Sequence, residues 1–194
     1  MPRTKLLAIA GSPRRGVNTD LLLQELSRGA ESEGAEVKTI LLNELAIAPC
    51  RHCDCCLETG RCAIEDDMQW LHSELRGTDR LVLASPIFFM GVTAQTKAMI
   101  DRCQALWVLK YVLKLPIATN GGGERRGLFI SVGGRRVANL FQPAIATVKS
   151  FFKTLDVTYA GALLFHGIEG KGAILEHPTA LREAFLAGQR LAQD

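Results

Sequence analysis

Residues 5–19 read Lys5-Leu6-Leu7-Ala8-Ile9-Ala10-Gly11-Ser12-Pro13-Arg14-Arg15-Gly16-Val17-Asn18-Thr19, and this stretch decides the fold. After Lys5 the run to Ala10 is apolar with no polar alternation, the pattern of a parallel strand buried on both faces. Gly11-Ser12-Pro13 ends it as a turn. From Asn18 the spacing changes. Leu21, Leu22, Leu26 and Ala30 recur at helical intervals, Asn18 or Thr19 offers a cap, and Gly34 closes the helix. A strand that turns directly into a helix is the building unit of an α/β sheet.

The unit repeats along the chain. Glu36–Leu42, Arg80–Ser85, Gly127–Val132 and Val157–Phe165 are expected as strands. Between and after them, helices are expected from the acids Glu65-Asp66-Asp67 to about Arg76, from Gln95 to Leu106, up to about Leu155, and from Pro178 to Ala192. Pro143 fits only near a first turn, and Leu113–Arg126, with Pro116 and Asn120-Gly121-Gly122-Gly123, reads as a mobile loop. Five short apolar strands predict an α/β fold: a flavodoxin-like, doubly wound, five-stranded parallel sheet in the order 2-1-3-4-5, in three αβα layers. With no repeat or linker, residues 1–194 are expected to form a single flavodoxin-like domain, with a cysteine-rich loop inserted at about 45–64.

Composition narrows the function classes. A content of 47% hydrophobic and 22% charged residues excludes disorder as the main state. The balance of 23 Lys+Arg against 20 Asp+Glu is too even to advertise nucleic acid. Leu6–Ala10 is too short for a signal-peptide core, and Leu81–Ala94, interrupted by Pro86, is too short for a membrane span. A cytoplasmic protein with no membrane span and no nucleic-acid partner is expected. Five of the six cysteines, Cys50, Cys53, Cys55, Cys56 and Cys62, crowd together, whereas a secreted disulfide scaffold would spread them. The crowding points to metal or redox chemistry.

In open parallel sheets, ligands bind beyond the carboxyl ends of the strands. Three loops lie there. Gly11–Thr19 combines hydroxyls, an amide, two arginines and a helix amino terminus, which suits a phosphate, although it lacks the spacing of the dinucleotide and nucleotide-hydrolase motifs. Ser85-Pro86-Ile87-Phe88-Phe89-Met90-Gly91 carries consecutive large apolar side chains that cannot all point inward, so at least one is expected to border a flat apolar ligand. Gly133-Gly134 lets backbone approach a ligand closely. The pairs Arg14-Arg15, Arg125-Arg126 and Arg135-Arg136 are expected in or near these loops as a local positive rim.

Gly11-Ser12-Pro13-Arg14 followed by Asn18-Thr19 resembles the phosphate loop of the NAD(P)H-dependent FMN reductases. Ser85-Pro86-Ile87-Phe88-Phe89, with Ala94-Gln95, Lys97-Ala98 and Ile100-Asp101-Arg102 after it, resembles their isoalloxazine loop and following helix. Val17 stands where that family often has Gly. The resemblance implies a non-covalent FMN. Gly11, Ser12, Pro13, Arg14, Asn18 and Thr19 would meet its phosphate, and Ser85, Pro86, Ile87, Phe88, Phe89 and Met90 would line its ring. Gly133 and Gly134 would meet the ring's other edge.

Within that group the cysteine run resembles the iron-sulfur flavoproteins, with Cys50, Cys53, Cys56 and Cys62 in the ligand positions. The spacing is physically apt. Cys-x2-Cys-x2-Cys lets one turning loop reach three corners of a [4Fe-4S] cluster, and Cys62 follows the turn Leu57–Gly60 closely enough to reach the fourth. Zinc, disulfides or no metal at all stay open as alternatives. Cys55 has no place in the pattern, and Cys103, near Met99 and Leu106, reads as core.

The resemblance thus implies an FMN-dependent oxidoreductase in which the flavin, rather than a catalytic side chain, carries the chemistry. NAD(P)H would be the co-substrate, and a quinone, an oxygen species or free flavin the acceptor. A ferredoxin-type donor and a homodimer or homotetramer are also implied, with Trp107–Leu115 apolar enough for an interface. Two alternatives differ in class: a non-catalytic flavodoxin-like carrier exchanging electrons with a ferredoxin-type partner, and a metal-binding or regulatory module without flavin.

Overall fold

The computed structural model describes residues 3–193; Met1, Pro2 and Asp194, counted in the expected domain, lie outside the described residues. Its strands are β1 (Lys5–Ala10), β2 (Glu36–Leu41), β3 (Arg80–Ala84), β4 (Arg126–Gly133) and β5 (Thr158–His166). All pair in parallel, in the order β2-β1-β3-β4-β5. Past their first residues, Lys5, Arg80 and Arg126, the three central strands carry no polar side chain but Ser131, because each feeds two cores. Leu7 and Ile9 of β1, Leu81 and Leu83 of β3 and Phe129 of β4 face one side; Leu6, Ala8, Val82, Ala84, Leu128 and Ile130 face the other. Phe129 is fully buried, and truncation to Ala there would cost about 3–5 kcal/mol.

The helices are α1 (Asn18–Ser32), α2 (Met68–Gly77), α3 (Ala94–Arg102), α4 (Gln104–Tyr111), α5 (Gln142–Thr154) and α6 (Ala180–Gln193). Leu22, Leu23 and Leu26 of α1 pack with Ala184, Ala187 and Leu191 of α6 over one face of the sheet. The residues of α2, α3, α4 and α5 cover the other. The α1–α6 crossing is set by two glycines. A Cβ at Gly29 would collide with the Phe185 carbonyl, and one at Gly188 with the Leu26 carbonyl, so the two backbones touch. Among the described residues no helix is long and apolar enough to cross a membrane.

Three expectations need correction. The helix expected from Gln95 to Leu106 is two helices, broken at Cys103, and the second runs on to Tyr111. The Arg102 carbonyl, which would continue the helical ladder, instead accepts from His72 Nε2 at 3.1 Å, and Cys103 N–H closes the turn on Ile100. Second, the cap of α1 is neither Asn18 nor Thr19: Val17 holds that position with no side-chain cap bond. The Asn18 amide is engaged elsewhere, Nδ2 donating to Gly170 O and Oδ1 accepting from Ile174 N–H. Third, Arg125-Arg126 lies at the amino end of β4, away from the ligand loops. Arg125 is buried and donates to the carbonyls of Thr78, Leu155 and Leu75.

Candidate functional site

The loops after β1, β3 and β4 meet around one cavity of about 310 Å³. Its walls are Ser12, Pro13, Arg14, Val17, Asn18 and Thr19 from the first loop, Pro86, Ile87 and Phe88 from the second, and Val132, Gly133, Gly134 and Arg135 from the third. Ile168 and Glu169, just beyond β5, complete it and were missed in the sequence. The only signal for them was their place at a fifth carboxyl strand end, between Gly167 and Gly170.

The first loop presents donors. The Ser12 hydroxyl accepts from Arg14 N–H and donates to Arg14 O, pinning the turn. Gly16 N–H donates to Asp20 Oδ2 at 2.9 Å. Burial raises the pKa of the Asp20 carboxyl, and the bonds from Gly16 and Val17 only partly oppose this. The first ladder bonds of α1 run to Val17 O, from Asp20 and Leu21. Among the described residues the N–H groups of Asn18 and Thr19 have no protein acceptor, and the buried Thr19 Oγ1 has no partner. Gly11 stands behind this wall: its carbonyl accepts from Thr93 Oγ1 at 2.5 Å, and a Cβ there would strike the Thr96 hydroxyl.

The second loop is an extension of the sheet. Ser85 N–H donates to Ile130 O and Ile87 N–H to Val132 O, both at 3.0 Å. Ser85 itself is buried outside the cavity; its hydroxyl donates to Pro86 O and accepts from Thr93 N–H. Phe88 and Gly91 then exchange both backbone bonds around Phe89 and Met90, whose φ values are +48° and +65°. That is a two-residue turn of the primed kind, ordinarily built with Asn and Gly. Phe88 borders the cavity, Phe89 is fully exposed, and Met90 is exposed outside it. In the third loop Gly133 O accepts from Ile168 N–H, and a Cβ on Gly133 would meet Leu140.

A second cavity, of about 340 Å³, lies in the long connection before α2. Cys50, Cys53, Cys56 and Cys62 all line it, and Cys55 does not. The loop is shaped by left-handed His52 (φ +50°) and Asp54 (φ +57°), and by Gly60, which packs on Leu109 of α4. Burial raises the Cys56 pKa, and the nearby Cys62, Cys50 and Cys53 raise it further. The backbone and thiol of Cys55 lower that of Cys53. Behind the thiols stands Arg102, paired with Asp66 at 2.6 Å. Burial alone would raise the Asp66 carboxyl, but Arg102 and the N–H groups of Ala48 and Met68 hold it below its ordinary value. Cys103 is buried in the sheet core, as expected, and its thiol is pushed far up by burial. Among the described residues no three His, Cys, Asp or Glu side chains converge closely enough to hold a metal ion.

Comparison with known proteins places these two cavities in context. Residues 4–156 match the family model described as NADPH-dependent FMN reductase. An iron-sulfur flavoprotein of Archaeoglobus fulgidus is 38% identical over 136 residues, covering 69% of this chain and 66% of that one. One of Methanosarcina thermophila is 32% identical over 125 residues, covering 63% and 65%. The matches thus span about two thirds of the length of these relatives. The solved NAD(P)H:quinone oxidoreductase of Methanothermobacter marburgensis shares the fold, with a TM-score of 0.73 over 98% of both chains at 16% identity.

Proposed function

Since the chain belongs to the NADPH-dependent FMN reductase family, we propose that it is an FMN-dependent oxidoreductase, an NAD(P)H:acceptor reductase whose cysteine loop holds a [4Fe-4S] cluster. One observation carries the flavin half: the loops after β1, β3 and β4 close on a single cavity in which two backbone N–H groups, of Asn18 and Thr19, and the Thr19 hydroxyl lack partners among the described residues. That is a cradle for a phosphate at a helix amino terminus. Arg14 and Arg135 line the same cavity and add charge. Bound FMN would supply a two-electron carrier between NAD(P)H and a quinone, an oxygen species or free flavin.

The chain's own contribution is placement. Ser12, Pro13, Arg14, Val17, Asn18 and Thr19 would fix the phosphate end, Asn18 through its backbone because its amide is committed to Gly170 and Ile174. Pro86, Ile87 and Phe88 would wall the ring, and Gly133-Gly134 would meet its other edge. Gly11 and Ser85 would act from behind, holding the loops to each other. Phe89 and Met90 are assigned to the rim of the ring site, on the solvent side.

Four thiols line one space, and Cys56 feels the charge of the other three. A [4Fe-4S] cluster, whose cube of iron and sulfide stands between its thiolates, would supply one-electron transfer and admit a ferredoxin-type donor. Unpaired thiols in all six cysteines suit a reducing compartment, and we assign the protein to the cytoplasm. Exposed Trp107, Val112 and Leu115 support a homodimer or homotetramer.

The test is the visible spectrum of anaerobically purified protein, with iron and acid-labile sulfide content. Flavin bands, a broad cluster shoulder and bleaching by NADPH without a second protein are expected. Colourless protein that FMN cannot reconstitute overturns the proposal. Bands that bleach only with a protein donor would favour the carrier reading.

A further inference from the structure

Arg102 ends α3 with its side chain 0% exposed, an unusual place for a guanidinium. Four of its five N–H groups are accounted for. Nη1 donates to Ala48 O at 2.8 Å and to Asp66 Oδ2 at 2.6 Å; Nη2 donates to Asp66 Oδ1 at 2.9 Å and to Ile64 O at 3.2 Å. Ala48 stands two residues before Cys50, and Ile64 two residues after Cys62. One planar group therefore grips the chain on both sides of the whole cysteine run. Asp66 closes the ring by also accepting from Ala48 N–H at 2.9 Å.

The fifth donor, Nε, is buried with no partner among the described residues. A cation out of water with an unused donor is costly, and replacing such a pair by apolar side chains is often neutral or stabilising. The arrangement makes sense if the guanidinium also serves the cavity it lines. Cys62 lines the same cavity. The other charged groups on that cavity, Arg51, Asp54 and Asp101, are exposed, so solvent and salt screen them.

We propose that Arg102 is the positioning residue of the cysteine cavity: it clamps both ends of the loop so that Cys50, Cys53, Cys56 and Cys62 share one space before metal arrives, and its buried cation compensates the Asp66 carboxylate that would otherwise stand behind the thiols as an unpaired negative charge. The charge half of this inference rests on the reading of the cavity as a cluster site; the clamp half does not.

The clamp is tested on metal-free full-length protein by amide hydrogen exchange read by mass spectrometry. Arg102→Lys keeps the charge but cannot reach both carbonyls, and Arg102→Met removes charge and donors. In Arg102→Lys, exchange across residues 48–64 is expected to rise about tenfold, the worth of one or two net hydrogen bonds, while β1 and α1 stay protected. Arg102→Met is expected to rise further in the same segment. Unchanged loop exchange in Arg102→Lys overturns the clamp, and so does an equal rise across the whole chain, which would mark a general fold residue. The charge half is read on reconstituted protein as the cluster's reduction potential, expected to be lower in Arg102→Met than in Arg102→Lys; equal potentials overturn it. Wild-type protein that takes up no iron and sulfide overturns the cluster reading and the charge half with it, while the exchange result still decides the clamp.

Discussion

The Nε2–H of His72 donates to the carbonyl oxygen of Arg102, 3.1 Å away and thirty residues on in the chain, and this bond separates α3 from α4. Because a carbonyl only accepts, Nε2 carries a proton. Burial, the largest influence, and the Arg102 charge together lower its pKa to about 4.

A pH dependence follows. The native pKa of His72 lies below its unfolded value of 6.5, so the unfolded chain binds the proton first. The stability this residue contributes is complete above about pH 6.5 and is lost as pH falls towards 4. Between pH 7.5 and 5 the loss is about 2 kcal/mol. Urea unfolding at the two pH values measures it, and His72→Gln, which keeps a donor but does not titrate, is expected to flatten the difference.

Thr19→Val removes a hydroxyl that has no partner among the described residues, while preserving shape. Stability of the FMN-free protein is expected to hold within about 0.5 kcal/mol. Affinity for FMN is expected to fall about ten- to hundredfold, since a bond to a charged phosphate is worth about 1.5–3 kcal/mol. Quenching of flavin fluorescence on titration gives both the affinity and the contrast with wild type.

Phe89 and Met90 hold left-handed backbone at a cost of about 1–3 kcal/mol each. The double change Phe89→Asn, Met90→Gly supplies the residues that such a turn favours. A rise in unfolding free energy of about 1–2 kcal/mol is expected from urea midpoints. If the apolar tip also borders the acceptor, turnover will fall as stability rises.

Gly188→Ala would ordinarily strengthen an interior helical position by about 1 kcal/mol. Here the added methyl group strikes the Leu26 carbonyl, so stability is expected to drop by about 2 kcal/mol or more, with α1 and α6 exchanging faster together. Thermal unfolding of the single variant decides the sign.

What could be read from sequence was what short-range patterning encodes. The apolar runs of β1, β3 and β4 announced strands because both faces are covered, and the cysteine spacing picked out the four thiols that line one cavity while excluding Cys55. What could not be read depends on partners far along the chain. The break at Cys103 needs His72, and the Val17 cap reflects an Asn18 amide drawn to Gly170 and Ile174. Arg125-Arg126 shows a related limit, since side-chain charge does not reveal which end of a strand it occupies. Ser85 and Gly11 likewise look like ligand groups in a motif, yet their polar atoms are used to fasten two loops together.

The backbone contact between α1 and α6 also has a consequence in time. The loop after β1 is synthesised well before Gly170, Ile174 and α6, which brace it. During synthesis the helix carrying Thr19 therefore has its outer apolar stripe uncovered until nearly all of the described chain has been made. Assembly of this cavity wall is thereby tied to synthesis of residues 170–193, and a product that stops before them would keep the motif but lose its brace.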